Sequence, residues 1–271
     1  MLTEMRGKAG NLCDLAKQGK LRCPLIIRSS SEDNITGHLV QALRTLNSRW
    51  WLSDFLNEAL GADRFRRQFH RRLRIEPWVN QPRYPRALLP WDEGSTQVDC
   101  EITWNNPHTT VFIEAKYQAD LSATTVNANG SGKYPADQLI RNVRVGLYRA
   151  GYFEGNSLFK LKPRDFVVIL LCPTEKHRLV KKYRDNNQLL AAIPHSDKLL
   201  SLPQWPFVGQ ITYRQIILIF SRQRRWFSRP ERVVIDGLTE YLDFKRGNMK
   251  DVFTMPQQAP FKWNNGDQPG K

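Results

Sequence analysis

Cysteine is scarce in this chain. The four present, Cys13, Cys23, Cys100 and Cys172, never stand in CxxC spacing, so the sequence offers no zinc-ribbon pattern. Cys100 and Cys172 fall within strand-like runs, where a reduced, buried thiol is the ordinary outcome. Histidines 70, 108, 177 and 195 are scattered, which argues against a His-based hydrolytic centre. Long apolar runs are missing too. The runs at 166–171 and 216–220 fall well short of the about 20 residues that a membrane-spanning helix needs and read as buried strands. Met1 to Leu12 contain no apolar stretch of signal-peptide type, so a cytoplasmic protein without a membrane partner is expected. Acid is in deficit: 26 Asp and Glu stand against 41 Lys and Arg, a formal charge of +15. A surplus of that size attracts polyanions, nucleic acid first.

What is present supports a core. Hydrophobic residues make up 41% of the 271 residues and aromatic residues 11%, more than a disordered chain carries. The first 29 residues are polar and basic and read as an arm. Ser29, Ser30 and Ser31, followed by Glu32 and Asp33, form a helix start, with Ile35, Leu39, Leu43 and Leu46 as its apolar stripe. A second helix is predicted around Leu52, Phe55, Leu56 and Leu60. A basic segment from Arg64 to Arg74 comes next, then an irregular loop or edge strand carrying prolines 77, 82, 85 and 90. Two strands follow. Val98, Cys100, Ile102 and Trp104 alternate with Asp99, Glu101 and Thr103; Val111, Ile113 and Ala115 alternate with Phe112, Glu114 and Lys116. The short Asn105–His108 turn predicts an antiparallel hairpin. Further on, the pattern predicts a helix opened by Pro135 and stopped by Gly151, a strand over 165–171, a helix over 175–191, a strand over 211–220 and a helix over 230–245. Residues 251–271 read as a tail. The whole is a mixed α/β sandwich with one domain over 30–250.

Glu114 and Lys116 are two apart, so a strand points both to one side of its sheet. Asp99 is out of phase with the apolar set of its own strand, so pairing the strands can bring all three together. Two carboxylates and an ammonium on one face suit phosphodiester hydrolysis, which needs phosphate charge offset and a water activated. An acid-x-Lys triplet alone is common, and Asp243-Phe244-Lys245 supplies a second. That triplet lies in a helical pattern with no strand-borne acid ahead of it, whereas Glu114-Ala115-Lys116 follows Asp99 on the preceding strand.

In those residues the chain resembles the PD-(D/E)xK, or restriction-endonuclease-like, nuclease superfamily, with Val98 where the motif's proline would stand. The resemblance implies a mixed central sheet flanked by helices and a Mg²⁺-dependent nuclease acting on DNA, with Mn²⁺ as a substitute ion. It implies metal ligation by Asp99, Glu114 and the Ala115 carbonyl, with Lys116 serving the attacking water. Glu32, in line with the apolar stripe of its helix, is similar to an acid that members carry before the sheet. Gln138, one turn before Arg141 and Asn142, is similar to the glutamine on the helix after the ExK strand. Arg66, Arg67, Arg71, Arg72 and Arg141 are expected to contact nucleic acid, and Arg222–Arg232 around Trp226 suit phosphate contact with base stacking. RNA as substrate, a homodimer or partner subunit, and a role in host defence or repair stay open. The rival class is a non-catalytic nucleic-acid-binding or scaffold subunit on the same fold.

Overall fold

The computed structural model describes residues 6–7, 10–11, 32–89, 91, 94–117, 121, 134–154 and 163–247. The expected tail lies outside these residues, as does the expected arm apart from a two-residue ladder pairing Arg6–Gly7 with Gly10–Asn11. The helices are α1 (Glu32–Thr45), α2 (Leu52–Leu60), α3 (Gln138–Ala150), α4 (Arg178–Tyr183), α5 (Asn186–Ala191), α6 (Tyr213–Gln223) and α7 (Arg229–Gly247). The strands are β1 (Arg71–Asn80), β2 (Gln97–Asn105), β3 (Thr109–Ala115), β4 (Asp165–Leu171) and β5 (Val208–Ile211), and they form one sheet in that order. β1, β2 and β3 pair antiparallel, and β3, β4 and β5 pair parallel. The sheet is therefore mixed and flanked by helices, an α/β architecture. No described helix is long and apolar enough to cross a membrane.

Each sheet face carries its own apolar cluster. Cys100, Ile102, Trp104, Val111, Ile113, Val167 and Ile169 pack against α1, α2, α6 and α7. Phe112, Phe166, Val168 and Leu170 pack against α3 and the α4–α5 segment. The period-two alternation of β3 and β4 feeds both clusters at once, as expected of strands buried on two sides. α3 is capped by Asp137, whose carboxylate accepts from the Ile140 N–H at 3.1 Å, and it ends on Gly151 at φ 88°, a left-handed conformation that glycine adopts without cost.

Three expectations are corrected. The strand predicted over 211–220 is mostly helix: β5 ends at Ile211, and Thr212 with Gln215 forms a capping box that starts α6. Its apolar run reads equally well as a buried helix segment, and the cap decides. The helix predicted over 175–191 is two short helices, each started by its own side-chain cap, His177 and Asp185. Val98 does not share a face with Cys100; it packs in the α3-side cluster. The change of side falls where Pro77 pairs with Cys100 and Val79 with Val98 but Trp78 and Asp99 leave the ladder, Trp78 at φ 51°. Pro77 itself lies on β1, an edge strand, where a missing N–H does no harm.

Candidate functional site

Register brings the acids together. The ladder of β2 and β3 ends at Cys100 against Ile113, one residue short of both Asp99 and Glu114. Asp99 is 2% exposed and Glu114 0%, so neither carboxylate is an ordinary solvated strand residue. The Asp99 Oδ2 accepts from the Ala115 N–H at 2.8 Å, which fixes that carboxylate beside the main chain of the Glu-Ala-Lys triplet. Glu114 Oε2 accepts from Asn142 Nδ2 at 3.0 Å, and its Oε1 lies 3.1 Å from Lys116 Nζ. The triplet's lysine follows the last residue of β3, and its backbone N–H still donates to the Leu171 carbonyl at 2.7 Å.

A third acid closes the cluster from the other helical layer. Glu32, the first residue of α1, places Oε2 3.3 Å from Lys116 Nζ and accepts the Tyr117 N–H on Oε1 at 3.1 Å. Burial alone would push the Lys116 ammonium down, but Glu114, Asp99 and Glu32 outweigh it and hold the group above its ordinary value. Lys116 is thus a permanent cation at neutral pH, a donor rather than a base. Within the cluster three carboxylates act on one ammonium.

Other side chains fix the peptide that carries the lysine. Tyr213, at the start of α6, donates its hydroxyl to the Lys116 carbonyl at 2.8 Å. Burial first, then Glu32, Cys172 and Asp99, push that phenol well above its usual range, so it stays a donor. Asn142 is fully buried, and its Oδ1 has no hydrogen-bond partner among the described residues. Gln138 is half-buried one turn before Asn142, on the same face of α3, and its side chain bonds to no described residue. Arg141 is 8% exposed and donates to the Gly94 carbonyl at 3.3 Å, so it is an interior group near the cluster rather than part of an open surface. Arg66, Arg67, Arg71 and Arg72 are exposed, and of these Arg67 is paired with Asp54 at 2.9 Å. The rival triplet at 243–245 falls inside α7.

Sequence reasoning missed Tyr213, whose segment it read as strand. It also missed the neighbouring network in which Glu101, two residues beyond Asp99, binds Gln81 at 2.8 Å and Arg149 at 3.0 Å. The capping-box letters Thr212 and Gln215 were the available signal for the first. For the second there was none, because the partners lie 20 and 48 positions away. No family model matches the chain, and comparison with curated proteins and with solved structures likewise finds no match.

Proposed function

We propose that the chain is a Mg²⁺-dependent nuclease that hydrolyses DNA phosphodiester bonds at the Asp99, Glu114 and Lys116 cluster. The observation that carries this reading is the convergence of two fully buried carboxylates, from adjacent strands, on a lysine that a third acid also faces. A purely structural ion pair needs one acid per base, and burying surplus carboxylate is costly unless a further cation serves it. The mixed sheet between helical layers fits the restriction-endonuclease-like architecture that the sequence resemblance implies.

The donor set suits a hard divalent ion. Among the described residues no three or more His, Cys, Asp or Glu gather into a metal-holding group. Mg²⁺ does not require one, since one or two carboxylates with waters and substrate phosphate ordinarily complete its shell. Asp99, Glu114 and the Ala115 carbonyl would hold it. When bound, the ion supplies a Lewis acid that offsets phosphate charge and makes water a better nucleophile. Lys116, as a fixed ammonium, orients the attacking water through its N–H donors and stabilises charge building on the phosphate. Asn142 locks the Glu114 carboxylate in one rotation, and Glu32 with Tyr213 grips the single peptide that follows the lysine, Glu32 at the Tyr117 N–H and Tyr213 at the Lys116 carbonyl. By the resemblance, the Gln138 amide would steady Lys116 or a phosphate.

The test is cleavage of plasmid and linear DNA with Mg²⁺ or Mn²⁺, against EDTA, with Lys116→Ala beside the wild type. Metal-dependent cutting that disappears in the variant supports the reading. Robust cutting in EDTA overturns it. DNA bound but uncut in any divalent metal turns the reading to a non-catalytic binding subunit.

A further inference from the structure

Two chain-distant corners of the α1–α2–α6–α7 layer meet in a run of stacked planes. The Arg49 guanidinium lies 4.8 Å from the Phe69 ring centroid and 4.9 Å from that of Trp50. Trp50 stacks on Trp226 at 5.3 Å with 16° between the rings, and Arg225 lies 4.9 Å from the Trp226 ring. The two corners are tied by Glu231, which accepts the Asn47 N–H at 2.7 Å while capping Ser228 at the head of α7. The column is therefore held in place before any ligand arrives.

It is also open and positively charged. Phe69 is 70% exposed and Trp226 47%, unusual for rings that size unless they have a partner. Arg49 and Arg225 have no carboxylate partner among the described residues, nor do the neighbouring exposed Arg66, Arg71 and Arg72. Aromatic planes interleaved with uncompensated guanidinium groups are what an unpaired nucleic-acid strand requires: each base has a π-face to stack, and each phosphate needs a cation. A duplex buries its base faces in its own stack and can use only the charges.

We infer that the Phe69–Arg49–Trp50–Trp226–Arg225 column is a docking platform for an unpaired stretch of DNA, which on the nuclease reading belongs to the substrate. The platform lies beyond the C-terminal end of α1, whereas Glu32 opens that helix at the cluster. Fourteen residues of α1 at about 1.5 Å per residue place the two about 20 Å apart.

The experiment is anisotropy with the full chain in EDTA, where no metal-dependent cutting occurs, using labelled oligo(dT), oligo(U) and a blunt duplex of equal length. Oligo(dT) should bind more tightly than the duplex and quench tryptophan fluorescence. Phe69→Ala and Trp226→Ala should each weaken oligo(dT) about ten-fold, the scale of one lost base stack, and leave duplex affinity unchanged. Trp226→Phe should restore most of the loss. Equal affinity for single strand and duplex, wild-type binding by the alanine variants, or preference for oligo(U) would each overturn the platform. Failure of metal-dependent cutting alongside the expected oligo(dT) pattern counts against the nuclease reading alone.

Discussion

Glu114 has its two oxygens committed to different elements, Asn142 of α3 and Lys116 beyond β3, and this division decides how the site answers to substitution. A divalent ion that binds only the folded chain raises its stability by mass action. Calorimetry with Mg²⁺ against EDTA should therefore show a rise in Tm for the wild type and none for Glu114→Gln; an equal rise in the variant would place the ion elsewhere. Lys116→Ala strands a buried carboxylate, and losing one partner of such a pair costs about 3–5 kcal/mol. Denaturant unfolding in EDTA should show that loss. His70 behaves in the opposite way. Burial pushes its imidazole below the ordinary value, with its Nδ1 3.3 Å from Ser48 Oγ and its ring edge-on to Trp104. The folded chain thus favours neutral His70, and the resulting stability is present above the unfolded value and lost as pH falls through the lowered one. Between about pH 7.5 and pH 5, on either side of the free-imidazole value of about 6.5, Tm should fall less in His70→Gln than in the wild type. An identical fall would show that other groups carry the acid response. Glu114 and Lys116 were legible in the sequence as a spacing of two on one strand, whereas the phase of Asp99 was not, because its own strand changes side there. Asn142 could be read only as a polar neighbour of Gln138, because its partner comes from a strand 28 positions back.

At the scale of elements, the tip of the Phe166 ring from β4 rests on the backbone of α3 at Gly146, in the space a side chain would take. A Cβ added at Gly146 would fall 1.8 Å from the Phe166 ring, so that glycine sets the spacing between helix and strand. Gly146→Ala should destabilise the fold by about 1–3 kcal/mol, the usual cost of overpacking, and Phe166→Leu in the same chain should recover part of it. Denaturant midpoints check both, and additive losses would mean that the two positions do not meet. α1, with its apolar stripe at helical spacing, was legible in the sequence, and β4 was read as a strand from an unbroken apolar run. α6 was not, because its Ile216–Phe220 run is apolar on consecutive positions, and only the Thr212 cap separates helix from strand. The break at Asp99 was equally hidden, since it depends on Trp78 across the ladder.

Over the whole molecule, the formal charge is +15, and Arg66, Arg71 and Arg72 are exposed with no carboxylate partner among the described residues. Binding to duplex DNA should weaken with salt, each neutralised phosphate contributing about 0.9 to the slope of log affinity against log salt. Replacing Arg66, Arg67, Arg71 and Arg72 together should flatten that slope and leave the metal requirement of cutting untouched. A slope that stays the same would move the contacts to another face. The division of the core into two clusters, one on each side of the sheet, has a different consequence. The candidate centre takes Glu32 and Tyr213 from one layer and Asn142 from the other, so it is assembled only while both layers are docked. Two cores sharing one wall can loosen separately, and local opening takes less free energy than global unfolding. On the nuclease reading, turnover is then the most sensitive gauge of interlayer docking: under mild denaturant it should fade while far-UV ellipticity is still intact.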